Sequence, residues 1–385
     1  MPATTRHLAL CALLLLAPVL PVSVAPLHRA AVGPVRPARV AAQGGPSAAP
    51  PTESNNQRKV VGSAGRLYAV SARPVGGTAH VVVDWSSDGR IWRTLGRADR
   101  AAGDAVLAAL TTDRFGRVHL AWTQYDGPLG RVYYSRHDGR PGGAWTVPVR
   151  LSSPAAYAGY PALEADAAGL HLLWYGIREE TTGVAAHGGI YEIFHRRYDG
   201  IWRPAQRISV GTLDALNPAL VVDARGGAHA AWFQSDGRAY QVVYAQWRGN
   251  RWSSPAFLTS GTRPSVRPAL AADGRGRLHL VWEHDGAVLY ALRTAEGQWR
   301  VPVEVARGGI HPTVGLWSRG VVVLWQDRRG VWVRVFDGRW HRPRRLGGGA
   351  YPHAFPSRPG ERGRPIALWS VGDGVRLLDL TPLLP

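Results

Sequence analysis

The sequence predicts an all-β protein, a β-propeller of four-stranded antiparallel blades, and three observations predict it. A strand–turn–strand unit recurs along most of the 385 residues. Turn-formers and tryptophan are over-supplied, with 46 Gly, 29 Pro and 16 Trp, which suits many short strands joined by tight connections. No helical periodicity runs through the chain beyond its first apolar stretch. A hydrophobic content of 45% also excludes wholesale disorder.

The amino-terminal residues lie outside the repeat. Arg6 and His7 precede an apolar run from Leu8 to Leu20, and Ser23-Val24-Ala25 then offers a small-x-small cleavage site. Residues 1–25 therefore read as a signal peptide, and the protein as secreted or periplasmic. The run is too short, and too broken by Pro18 and Pro21, for a membrane span of about 20 apolar residues. The lone cysteine, Cys11, falls inside this signal, so the exported chain would hold neither disulfides nor a thiolate metal site. Residues 26–58 read as a leader and linker, flexible at 43–57, where Gly, Ser and Pro predominate.

From residue 59 to 385 the chain reads as the propeller. Five segments align, beginning at Ala109, Pro161, Pro218, Pro268 and Pro312, and each is a strand, a Gly-containing turn and a strand ending in Trp122, Trp174, Trp232, Trp282 or Trp325. In four of them an Asp opens the turn, where its carboxylate can bind the backbone that follows, and the Gly supplies the backbone freedom. Each segment is followed by a second hairpin, as in Asp138-Gly139, Asp199-Gly200 and Asp337-Gly338, leading to Trp and then Pro. An earlier, more worn copy spans Val60 to Leu95. The hairpin tryptophans Trp92, Trp145, Trp202, Trp252, Trp299 and Trp340 are spaced by 53, 57, 50, 47 and 41 residues, the period of propeller blades.

Those are six complete copies. A seventh is expected from Arg364–Trp369 and Val375–Asp379 as its middle strands, with residues 34–41 of the leader adding the fourth strand and closing the ring. The tryptophans and aliphatic residues are then core, since both faces of every blade pack on neighbours.

Ser86-x-Asp88-Gly89-x-x-Trp92 and its relatives at Asp138, Asp199 and Asp337 resemble the Asp-box (BNR) repeat of sialidase-like propellers, over about residues 59–380. The resemblance implies the fold. It also implies where to look for sialidase chemistry, which uses three arginines to clamp a carboxylate, a Tyr–Glu nucleophile pair and an Asp acid/base. No aromatic-Arg-Ile-Pro motif precedes the first box, and Ser71-Ala72-Arg73-Pro74 is a poor substitute, so no catalytic residue is assigned.

Other constellations are weighed on their residues. His119, His171, His229 and His279 occupy one repeated position on the second strand, away from the axis, so packing or a hydrogen bond within each blade is expected in place of a shared metal. The loops after that strand carry Asp126, Arg178, Glu179, Glu180, Asp236, Asp285 and Asp327, which form the candidate binding set, and the loop from Gly176 to Gly189 is the longest. A net charge of +19 suggests attraction to an acidic glycan or anionic cell-surface polymer. Arginine scattered through turns, with Lys59 as the sole lysine, gives no nucleic-acid stripe. The expectation is a secreted monomer without cofactor or metal, non-catalytic, binding a glycan or surface partner through its loop-bearing face. An exo-sialidase is the alternative, and a cell-envelope scaffold a further one.

Overall fold

A computed structural model describes residues 50–385, except 56, 64, 101, 126, 179–188, 360 and 362–363. The signal peptide and the proposed closing strand at 34–41 lie outside the described residues. No helix among the described residues is long and apolar enough to cross a membrane.

Seven antiparallel sheets follow one another along the chain, each built in sequence order from the axis outwards. Blade 1 comprises Val60–Ser63, Arg66–Val75, Thr78–Ser86 and Arg93–Arg97. Blade 2 comprises Asp104–Thr112, Val118–Tyr125, Gly130–His137 and Val149–Arg150. Blade 3 comprises Ala158–Asp166, Gly169–Ile177, Tyr191–Tyr198 and Gln206–Arg207. Blade 4 has Ala215–Val222, Ala228–Ser235, Tyr240–Arg248 and a fourth strand split into Arg251–Trp252 and Ala256–Phe257. Blade 5 has Ser265–Ala272, Leu278–His284, Ala287–Arg293 and Val303–Arg307. Blade 6 has Ile310–Trp317, Gly320–Asp327, Gly330–Phe336 and Arg344–Gly347. Blade 7 shows Ala350–Phe355, Ile366–Val371 and Gly374–Asp379, three strands among the described residues, the last two being its expected middle strands.

The core is divided between the blades. Apolar clusters fill the junctions, one of them reaching from blade 1 to blade 4, so every blade is buried on both faces. The ring closes where Val60, Leu67 and Ala69 of blade 1 meet Phe355, Ile366 and Leu368 of blade 7. The second-strand tryptophans sit in these layers, with Trp122, Trp232, Trp282 and Trp369 at most 2% exposed.

The repeated histidines are structural, as expected. His119 lies 2.7 Å from the Tyr134 hydroxyl and 3.1 Å from the Asp113 carboxylate. His229 repeats this with Tyr244 at 2.7 Å and Asp223 at 2.9 Å. With Nε2–H donating to the carboxylate, Nδ1 is left to accept the hydroxyl, so one neutral imidazole ties the inner turn to the third strand. In blade 5 His279 stands 2.8 Å from Tyr290 and 3.5 Å from Asp273. In blade 3 His195 takes the tyrosine's place, 3.1 Å from His171. The hairpin Trp of the next blade then lies edge-on against this third-strand ring: Trp202 on Tyr134, Trp252 on His195, Trp299 on Tyr244 and Trp340 on Tyr290, at 5.0–5.4 Å. Asp, His, Tyr and Trp thus form one continuous staple from inner turn to neighbouring blade.

The Ser86-x-Asp88-Gly89 turn of blade 1 is held by its own side chains. Asp88 accepts from the amides of Arg90 and Ile91 at 2.8 and 2.9 Å, and Ser86 Oγ accepts from Gly89 at 2.9 Å. These bonds to the ionised form hold the Asp88 carboxyl down to about 2. Its relative in blade 2 needs glycine: Gly139 has φ +78°, and a Cβ there would lie 2.2 Å from the Gly116 carbonyl.

Candidate functional site: the axial mouth

Residues 43–57 are expected as a flexible linker, but the described part of that stretch fills the propeller axis. Thr52, Ser54, Asn55, Gln57 and Lys59 are at most 5% exposed. The reason lies in the inner strands. Blades 2 to 7 each carry a bulge there, with Leu107, Tyr160, Asn217, Arg267, His311 and Tyr351 in the left-handed region at φ between 49° and 55°. A bulge unpairs backbone groups from the ladder, and buried carbonyls must find donors elsewhere. The axial segment supplies them. Gln57 Nε2 donates to the carbonyls of Leu107 and Pro161 at 2.6 and 2.8 Å. Asn55 Nδ2 donates to those of Arg267 and Pro312 at 2.9 and 2.6 Å. The Thr52 hydroxyl donates to Tyr351 at 2.9 Å, and the Thr52 carbonyl receives His353 Nε2–H at 2.8 Å. Five of the seven inner strands are therefore bonded through three short polar side chains.

Deeper in the axis Lys59 donates to Gln57 Oε1 at 2.8 Å and to the Ala108 carbonyl at 2.5 Å. Burial among neutral acceptors pulls its ammonium down to about 7. Below it, Arg58 bonds Glu164 at 2.6 Å and also Glu361, and Arg358 bonds Glu164 at 3.0 Å. This buried quartet anchors the long first loop of blade 7 across the opposite end of the axis, beside a cavity of about 750 Å³ lined by the inner turns of blades 1 to 4.

The end at which the axial segment begins is chemically different. The left-handed positions of blades 3, 5, 6 and 7 bear Tyr160, Arg267, His311 and Tyr351, a different residue type in most blades although the backbone repeats. A non-glycine residue in this conformation costs of order 1 kcal/mol, and the fold alone does not ask for these side chains. The His311 and Tyr351 rings are 4.6 Å apart. Tyr160 stacks on Tyr175 at 5.1 Å, and Tyr175 meets Tyr191 edge-on at 5.4 Å. The Tyr125 hydroxyl lies 3.4 Å from that of Tyr157. Glu53 follows Thr52, whose hydroxyl donates to the Tyr351 carbonyl at 2.9 Å, and its carboxylate adds to the upward push that burial gives Tyr125, Tyr160 and Tyr351. Burial likewise raises Glu53, partly offset by the Lys59 ammonium.

Four arginines on blades 1, 3 and 5 are paired with carboxylates. Arg267 Nη1 bonds Glu283 at 2.8 Å. Arg178 and Arg207 both bond Glu192, at 2.5 and 2.7 Å, and Arg73 pairs with Asp84.

The loop residues selected from sequence do not converge. Asp126, Glu179 and Glu180 lie outside the described residues. Arg178 is held by Glu192 at the end of its strand. Asp236 caps its own loop through the amides of Arg238 and Ala239 at 2.8 and 2.9 Å, and Asp327 accepts from the Arg329 amide at 2.7 Å. Asp285 pairs with Arg263. These four stand on four different blades. The residues that do gather, Glu53 and the left-handed set, carried one sequence signal: Pro161, Pro268, Pro312 and Pro352 each follow such a residue.

No known family signature matches the sequence, and no curated protein matches it. Solved structures do. The fold is that of a seven-bladed propeller. An ulvan lyase of polysaccharide lyase family PL25 superposes with a TM-score of 0.54 at 11% identity, covering 78% of this chain and 96% of that one. A Hadza microbial sialidase gives 0.53 at 13%, covering 82% and 74%. A puromycin-hydrolysing peptidase of Mycobacterium tuberculosis gives 0.53 at 15%, covering 86% and 56%. At such identities the likeness is one of fold, which hosts unrelated chemistries.

Proposed function

We propose that this chain is an exported, non-catalytic propeller that binds a glycan at its axial mouth, within the loop-bearing face. The carrying observation is the set of tyrosines around Glu53, of which Tyr160 and Tyr351 are placed by a strained backbone position that recurs in six blades. Aromatic faces with a carboxylate among them suit sugar recognition, the rings covering the apolar side of a pyranose and the carboxylate accepting its hydroxyl protons. The glycan-directed names of two structural neighbours, a sialidase and an ulvan lyase, agree with this reading.

The sialidase alternative needs free guanidinium groups and an ionisable tyrosine. Tyr351 does stand within electrostatic range of Glu53, yet burial and that carboxylate both raise it, the wrong direction for a nucleophile. Arg73, Arg178, Arg207 and Arg267 already hold carboxylates. A glycan array run beside a fluorogenic sialoside assay separates the readings. Retention without turnover supports the binding protein. Turnover abolished by Tyr351→Phe would establish the enzyme.

A further inference from the structure

Net charge suggests an acidic ligand; the axial mouth carries the opposite signature. We propose that this mouth takes a cationic, amine-bearing sugar, its ammonium seated between Glu53 and the rings of Tyr125, Tyr160 and Tyr351. This rests on the glycan reading above and specifies its ligand.

The argument starts from charge pairing. The total of +19 is a property of the whole surface. At the mouth, the guanidinium coupled to Tyr160, Tyr351 and His311 is that of Arg267, and Glu283 already holds it at 2.8 Å. The other Glu283 oxygen accepts the His311 amide at 2.6 Å, so that carboxylate is spent in turn. Glu53 differs. Its carboxylate makes no hydrogen bond to another described residue, and the ammonium of Lys59 below is turned to Gln57 and Ala108. His311 is kept neutral by burial, Arg267 and His353, with its pKa near 3, so it contributes no competing cation.

Hydrogen-bond inventory points the same way. Beside Arg267, Asn55 Oδ1 is buried without a protein partner, although the same amide's nitrogen makes two bonds. Glu53 and Asn55 Oδ1 are thus open acceptors, and the buried His311 Nδ1, likewise unpartnered, is a third in the Nε2–H tautomer. An ammonium offers three donors and no acceptor, whereas a carboxylate or sulfate offers only acceptors. Tyrosine faces add their own preference, since a ring quadrupole attracts a cation and repels an anion. A carboxylate half-buried among such rings is a costly arrangement that a cation would relieve.

The test uses the full exported chain and three 1,4-linked oligosaccharides of equal length, titrated calorimetrically: a glucosamine oligomer, its N-acetylated counterpart and an oligogalacturonate. The expected result is binding of the glucosamine oligomer at least tenfold tighter than either other, lost about tenfold in Glu53→Gln with an unchanged melting temperature. Equal or tighter binding of the N-acetylated or acidic oligomer overturns the inference while the glycan reading stands. So does glucosamine binding that survives Glu53→Gln. Failure of all three to bind overturns the glycan reading itself, and this one with it. Should Glu53→Gln fail to fold, the ranking of the three oligomers on the unaltered protein decides.

Discussion

His229→Ala is the sharpest probe of what holds the blades together. His229 is 1% exposed and bridges Asp223 and Tyr244 at 2.9 and 2.7 Å. Removing the imidazole deletes a hydrogen bond to an ionised carboxylate, about 1.5–3 kcal/mol, and strands the Tyr244 hydroxyl in the interior for about 1–3 kcal/mol. Asp223 keeps the amides of Arg225 and Gly227, so its own loss is partial. The void left by the ring adds to this, and the sum is about 4 kcal/mol. In a chain of this size that lowers the thermal midpoint by roughly 6 °C. Differential scanning calorimetry or circular dichroism melts measure it. A double-mutant cycle with Tyr244→Phe should show about 1–2 kcal/mol of coupling, because each change removes the same bond. A loss below about 1 kcal/mol for His229→Ala, or no coupling in the cycle, would refute the staple as a source of stability.

Acidification should destabilise the fold well before carboxylates are titrated. His311 and His353 are depressed to about 3 by burial and nearby cations, so below the ordinary histidine value near 6.5 the unfolded chain binds protons that the folded one refuses. Stability is full above about pH 6.5 and falls by about 1.4 kcal/mol per pH unit for each such histidine down to about pH 3, with the depressed carboxyls, such as Asp223 at about 2, adding to the loss at the acid end; melts from pH 7.5 to 4 should show a steady decline, and a flat profile would contradict it. Asn55→Ala leaves the carbonyls of Arg267 and Pro312 without their donor and should cost about 2–4 kcal/mol in urea unfolding. Glu164→Gln removes the charge between Arg58 and Arg358 in the buried quartet and should cost about 3 kcal/mol or more by the same measurement. Deleting residues 26–45 should lower the melting temperature sharply if residues 34–41 complete blade 7, and an unchanged midpoint would exclude that closure.

The parts of the molecule legible in sequence were those fixed by short-range rules. Asp-Gly hairpins and a Trp at a regular spacing prescribe strand pairing locally, so six blades and the middle strands of the seventh could be placed from residues alone. His119 and its equivalents could be assigned to their own blades because their position recurs. The axial segment could not be recognised. Thr52-Glu53-Ser54-Asn55-Asn56-Gln57 has the composition of a loop, and the side chains of Thr52, Asn55 and Gln57 are buried only because distant bulges present carbonyls to them, a long-range pairing that leaves no local pattern. Two of the acidic loop residues show the opposite case, a purely local pairing. Asp236 and Asp327 have the look of ligands, yet an aspartate two residues before a backbone amide is satisfied by its own turn. The proposed mouth was better signalled by variation at a repeated place: Tyr160, Arg267, His311 and Tyr351 share a backbone conformation and not a chemistry.

One consequence of the filled axis concerns covalent labelling. The chain's single ε-amine, that of Lys59, is 2% exposed and lodged between blade 1 and blade 2. In the closed ring burial both draws its ammonium down to about 7 and keeps reagent away, and on exposure the amine returns to the ordinary lysine range. An acylating reagent therefore modifies this lysine only during excursions that part the ring, and the rate of that single modification is a clock for propeller opening. Slowing of the clock by a bound sugar would report, in one mass measurement, that the ligand sits over the axis.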